Sequence, residues 1–174
     1  MKQKVLLLLA SLLLGASLLG SKSEAQNVMD KGVSHASFSL GLWTNTFIPT
    51  FSYDYGVIGN LFDDKSSLSI GGMLSLYTKG YTVNNSRYRQ NGILIGPKVA
   101  LHYHFIPKLD TYFSLTLGYM NSFGSVDNQT SSRVSEFLPG YHIGARYAFT
   151  PKLAGLLELG YGFSFTNIGI SYIF

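Results

Sequence analysis

Cysteine is absent from the 174 residues, which excludes disulfide frameworks and the cysteine-based zinc, haem and redox centres. Proline is scarce, at 5 residues, and Asp, Glu, Lys and Arg together make up 13% of the chain, against about 25% in typical soluble domains. Beyond the first 25 residues there is no helix-period segment and no apolar run of spanning length. What is present instead is glycine and aromatic rings: 19 Gly, 12 Tyr, 12 Phe and a single Trp. Low charge with many rings and small residues points to a chain that lives against lipid.

Residues 1–25 read as an export signal. Lys2 and Lys4 form a basic start, residues 5–20 an apolar stretch, and Ser23-Glu24-Ala25 a small-x-small site with cleavage expected before Gln26. The apolar stretch is shorter than a membrane-spanning helix prefers. Removing 25 of the 174 residues leaves a domain at 26–174, and the formal charge falls from +4 to +2 because Lys2, Lys4, Lys22 and Glu24 depart. The remaining basic cluster, Lys79, Arg87 and Arg89, reads as a solvated loop, and no nucleic-acid partner is expected.

Along the mature chain hydrophobicity alternates with period two, the signature of strands. In 111–122, Phe113, Leu115, Leu117 and Tyr119 share one face while Ser114, Thr116 and Gly118 share the other. The same pattern predicts strands near 35–47, 50–59, 67–78, 92–105, 110–122, 135–149, 153–165 and 167–174. Short connectors at 60–66, 106–110 and 150–152 alternate with long polar loops at 79–91 and 123–134; two further short connectors lie near 45–49 and 165–167. Eight antiparallel strands, short turns at one end and long loops at the other predict an all-β, up-and-down transmembrane β-barrel. A repeat at an offset of 44 residues joins two hairpins: Leu94, Gly96, Tyr103, Phe105, Pro107, Lys108, Leu109, Leu115 and Gly118 recur as Leu138, Gly140, Tyr147, Phe149, Pro151, Lys152, Leu153, Leu159 and Gly162.

Facing separates a soluble barrel from a membrane barrel. The minority faces carry Asp54, Lys98, His102, His104, His142, Arg146 and Glu158 among Ser and Gly; the opposite faces carry Phe51, Tyr53, Tyr55, Leu74, Ile95, Val99, Leu101, Ile143, Leu157, Leu159 and Phe163. Charges of both signs in a lumen too narrow for water should pair with one another. Asp54, Lys98, His142, Arg146 and Glu158 are therefore expected to form an interior polar network, with Arg146 and Glu158 pairing diagonally across one hairpin. No cofactor is implied.

The last eight residues alternate to the end, Asn167-Ile168-Gly169-Ile170-Ser171-Tyr172-Ile173-Phe174. This stretch resembles the terminal assembly signal of bacterial outer-membrane proteins, with Asn167, Gly169, Tyr172 and Phe174 at its positions. The mature chain resembles small outer-membrane β-barrel domains of the OmpX and OmpA transmembrane-domain type. That resemblance implies an outer-membrane location, lipid around the barrel, and assembly machinery reading the C-terminal strand. The expected role is structural or adhesive, without catalysis, through the loops and an unidentified surface ligand.

Four alternative readings make different predictions. A lipid A-modifying enzyme needs a Ser, a His and an acid converging near the outer rim, whereas His35 with Ser37, and His102 with His104, fall at the opposite, periplasmic end. Metal binding by His102 and His104 lacks a third ligand that the sequence can supply. A narrow channel needs a continuous polar path. A soluble ligand-carrying barrel needs the facing inverted, with Leu115 and Leu157 buried and Ser114 and Glu158 exposed.

Overall fold

The computed structural model describes residues 28–43, 46–83, 86–126 and 129–174; the expected leader at 1–25 lies outside the described residues. Eight strands follow in chain order: β1 (Ser34–Trp43), β2 (Thr46–Gly59), β3 (Ser66–Val83), β4 (Ser86–Ile106), β5 (Leu109–Val126), β6 (Gln129–Thr150), β7 (Leu153–Tyr161) and β8 (Thr166–Ile173). Each pairs antiparallel with the next, and β8 returns to β1 to close the ring.

Period-two alternation sets the facing. Along β1, Phe38, Leu40 and Leu42 are exposed while His35, Ser37 and Ser39 are buried. The rule holds around the ring: Phe51, Ile70, Ile95, Phe113, Leu115, Ile143, Leu157 and Ile170 point outward, and Asp54, Ser69, Lys98, Ser114, Arg146, Glu158 and Ser171 point inward. This is the reverse of a soluble barrel. Leu115 and Leu157 are exposed and Glu158 is buried, so the facing required of a soluble ligand carrier is not the one observed.

The turns at 60–65, 107–108 and 151–152 lie at one end, here called the base, together with the start of β1 and the end of β8. The Phe174 N–H donates to the Ser34 carbonyl at 2.9 Å. The 44-residue repeat reappears as two hairpins of one design. Lys108 takes φ 69° in the first turn, and both hairpins carry a register shift beside the turn, at Tyr103/Ile106 and Ala148/Thr150. The rings of the repeated Tyr-x-Phe pairs meet at an angle, with centroids 4.8 Å apart for Tyr103 and Phe105 and 5.7 Å apart for Tyr147 and Phe149.

At the opposite end, the rim, strand heights are unequal. The segments expected as loops, 79–91 and 123–134, are mostly strand: β3 and β4 stay paired up to Val83↔Ser86, and β5 and β6 up to Val126↔Gln129. Polar side chains hid this, because alternation marks strands only where one face meets lipid or core. Pairing of β2 with β3 stops at Thr50↔Ser75, next to Pro49, which has no N–H to offer a ladder. Pairing of β6 with β7 stops at Tyr141↔Tyr161. Strands β3 to β6 therefore rise beyond the ring as a four-stranded sheet, whose edges along 76–83 and 129–140 pair with no further strand among the described residues.

The chain before β1 turns into the base. Val28 and Met29 are 2% and 0% exposed. The His35 ring N–H donates to the Val28 carbonyl at 2.6 Å, the Met29 N–H donates to His104 Nε2 at 3.1 Å, and Ser67 Oγ donates to the Met29 carbonyl at 3.0 Å. Gly56 makes room for this strap. A Cβ there would lie 1.9 Å from the Asp30 carbonyl oxygen.

Candidate functional site

Inward parity places the charged side chains of five strands at mid-barrel, and burial forces them to pair. Arg146 of β6 reaches across the lumen to Asp54 of β2 through a direct Nη2–Oδ2 contact, and its Nη1 lies 3.6 Å from Asp110 of β5. Lys98 of β4 bridges Asp54 at 3.4 Å and Glu158 of β7 at 3.1 Å. Glu158 also accepts from the Tyr112 hydroxyl at 2.6 Å and from Asn167 Nδ2 at 2.9 Å, while the Ser164 hydroxyl donates to Asn167 Oδ1 at 2.7 Å. The Tyr112 ring is a central pillar. The Arg146 guanidinium lies 4.6 Å and the Lys98 ammonium 5.1 Å from its centroid, both within cation–π range. Gly144 admits that pillar, since a Cβ there would stand 2.3 Å from Tyr112 Cζ.

The expected interior residues thus occupy the lumen, with two differences in how they pair. Arg146 does not pair with Glu158 but with Asp54 and Asp110. Register places the two at diagonal positions, Arg146 opposite Leu156 and Glu158 opposite Gly144, but Glu158 is taken up by Lys98, the Tyr112 hydroxyl and Asn167. His142 stands apart from the ion pairs; its Nε2 donates to the Ser164 carbonyl at 3.1 Å and its ring stacks on Phe163 at 4.7 Å.

Of the C-terminal residues, Asn167 is fully buried and joins the lumen cluster. Gly169 also faces inward, where a Cβ would lie 2.2 Å from the Phe38 carbonyl oxygen. Tyr172 and Phe174 lie outside at the base, 43% and 67% exposed, with ring centroids 4.8 Å apart.

Asp110 and Tyr112 belong to the cluster although the sequence reading passed over them. Their signal was parity, since both fall in step with Ser114 and Thr116. Asp110 also completes a Ser–His–Asp chain: Ser69 Oγ lies 2.8 Å from His102 Nε2, and His102 Nδ1 lies 3.0 Å from both Asp110 oxygens. The distances are those of a nucleophile, base and orienting acid. All three residues are 0% exposed, so the Ser69 hydroxyl has no path to a substrate, and Arg146 uses the acid as a counter-ion. Both nitrogens of His104 are also engaged, Nδ1 with the Lys65 carbonyl at 3.0 Å and Nε2 with the Met29 N–H. Among the described residues no three His, Asp or Glu side chains gather as metal ligands would.

Phe163, expected on the outer face, turns inward. The strand ends at Tyr161 and Gly162 takes φ +126°, which breaks the alternation. Phe163 separates two spaces. Below it is a void of about 10 Å³ bordered by Lys98, Glu158 and His142; above it a cavity of about 290 Å³ opens towards the rim.

The fold is that of solved small outer-membrane β-barrels. Ail, the attachment invasion locus protein of Yersinia pestis, aligns with a TM-score of 0.54 at 14% identity, covering 84% of this chain and 100% of that one. The N-terminal β-barrel domain of Pseudomonas aeruginosa OprF aligns with a TM-score of 0.57 at 16% identity, covering 83% and 98%. Neisserial surface protein A aligns with a TM-score of 0.51 at 14% identity, covering 81% and 93%. Another structure of Ail contains the heparin analogue sucrose octasulfate. No family model and no curated protein matches the sequence.

Proposed function

We propose that the chain is an exported, non-enzymatic outer-membrane barrel that anchors itself in lipid and presents the raised β3–β6 sheet to surfaces outside the cell. The observation that carries this reading is the inverted facing: apolar side chains ring the outside while carboxylates, cations and imidazoles fill the inside. Only a hydrocarbon surround makes that arrangement favourable on every strand. The leader at 1–25 would be removed after export, and the assembly machinery would read the C-terminal strand. The exposure of Tyr172 and Phe174 supports their being read directly; Asn167 and Gly169 would serve by closing the lumen and seam.

The sealed Ser69–His102–Asp110 chain and its position near the base speak against lipid chemistry at the outer rim. The ion cluster, with Tyr112 through its middle, speaks against a conducting path. An adhesive role draws support from the attachment named for Ail and the sulfated ligand held by it, and from exposed Lys79, Arg89 and Arg133 on the raised sheet.

Absence of native cysteine permits a clean test. Arg133→Cys at the raised sheet and Asp63→Cys at the base are each expressed, fractionated, and exposed on intact cells to a membrane-impermeant maleimide. Both proteins should enter the outer membrane and migrate differently unboiled; only the Arg133 variant should label. Recovery in a soluble fraction, or labelling at Asp63 alone, rejects the proposal.

A further inference from the structure

We propose that the rim cavity is a binding cup for a small aromatic anion, of the class of a substituted benzoate taken up from the surrounding solution. This inference goes beyond the surface role and rests on the cavity; Lys79 is the one residue the two readings share.

The inner face changes character above Phe163. At mid-barrel it carries charge and small polar groups; here it carries Trp43, Ile48, Tyr77, Leu94, Met120 and Leu138 around a space of about 290 Å³. Lumens of eight-stranded barrels are ordinarily filled by their own side chains. This one is filled below Phe163 and hollow above it. Backbone positions keep it so: a Cβ at Gly92 would lie 2.1 Å from the Tyr77 ring, and one at Gly118 would lie 2.7 Å from Leu94, so both side chains lie flat against the wall. Wetting such a surface is unfavourable, and covering it with an apolar ligand would offset that cost.

The wall specifies the ligand's class. An apolar cavity of about 150 Å³ takes up a benzene ring, so the larger space here suits a ring with one or two substituents. Trp43 meets the Tyr161 ring edge-on at 5.7 Å, and Phe163 closes the floor; rings prefer the offset and edge contacts that such a wall offers. Among the described lining residues the charged side chain is Lys79, beside Gln90, and none is a carboxylate; Glu136, across from Met120, is exposed. A carboxylate on the ligand would point there.

Trp43 is the only tryptophan in the chain, so its fluorescence reports on the cup. The refolded full barrel is titrated with 4-bromobenzoate, 4-bromobenzyl alcohol and 4-bromobenzylamine, the bromine serving as a contact quencher. The anion is expected to quench saturably, within the roughly 0.1–10 mM range open to ligands of this size. It should bind about two- to fivefold tighter than the cation, as one exposed ion pair allows, and Lys79→Gln should abolish that preference. Ser75→Phe, which places a ring in the space, should remove saturation. Its folding is checked by unboiled gel mobility, and Leu138→Phe provides a second filled cup, with Trp43 still the only tryptophan, should it misfold. Linear quenching by all three probes, equal in wild type and filled variants, overturns the proposal. So does tighter binding of the cation.

Discussion

Arg146 is the side chain on which the interior depends most, and its replacement by Met tests whether the lumen is held by paired charge. The guanidinium is 0% exposed, contacts Asp54, lies 3.6 Å from Asp110, and packs on Tyr112 at 4.6 Å. Methionine keeps much of the apolar stem and removes the charge. Among the described residues, Asp54 then retains Lys98 at 3.4 Å, and Asp110 retains His102 and His104. Removing one partner of a buried ion pair costs about 3–5 kcal/mol, mostly through the stranded charge. With a urea dependence of about 2 kcal/mol per molar, the unfolding midpoint should fall by roughly 1.5–2.5 M. The assay is equilibrium unfolding of the refolded barrel, followed by Trp43 fluorescence and by unboiled gel mobility. Asp54→Asn should also destabilise. The double variant, with no charge stranded at that pair, should lose at least about 1 kcal/mol less than the sum of the two. A cost for Arg146→Met below about 0.5 kcal/mol, or strict additivity in the double variant, would show that packing alone maintains the lumen.

Other perturbations address separate parts of the molecule. Gly56→Ala sets a Cβ 1.9 Å from a backbone oxygen of the strap; the strap should leave the base and become open to protease trimming, while the barrel keeps its unboiled mobility. Leu115→Arg, on the outer face at 56% exposure, should cost about 2–4 kcal/mol in a bilayer, whereas tolerance within about 0.5 kcal/mol is what a water-facing site would give. A fluorophosphonate probe should leave the folded protein unmodified, because Ser69 is sealed; a mass adduct on Ser69 would mean the Ser–His–Asp chain is reachable.

Legibility in the sequence followed the physics of each part. Strand number and facing were readable because lipid on one side and a crowded lumen on the other impose period two, as in Phe113-Ser114-Leu115-Thr116. The raised ends of β3 to β6 were not, because water on both faces removes any reason for alternation while backbone pairing continues. The partner of Arg146 depends on shear around the whole ring, which no local pattern carries. Phe163 was misplaced because Gly162 shifts the phase of the strand by its positive φ. Asp110 and Tyr112 share the inward parity of Ser114, but Asp110 closes a segment, 106–110, that reads as a turn, and a tyrosine suits either face. The strap at 28–33 has no periodicity at all; Gly56 and Gly59, which accommodate Asp30, gave a trace of it only once the fold was known.

The bond from the Phe174 N–H to the Ser34 carbonyl also governs the order of events during folding. The β1–β8 seam joins His35 to Ile173 and runs to Leu42↔Thr166, so all eight strands must be present before the ring can shut. Every earlier stage has two unpaired edges, each able to join a foreign strand. Contacts so distant in sequence form slowly. The barrel is consequently most exposed to mispairing in the interval before β8 reaches β1, and a chaperone or membrane template that shields the β1 edge during that interval would act on yield rather than on the stability of the finished barrel.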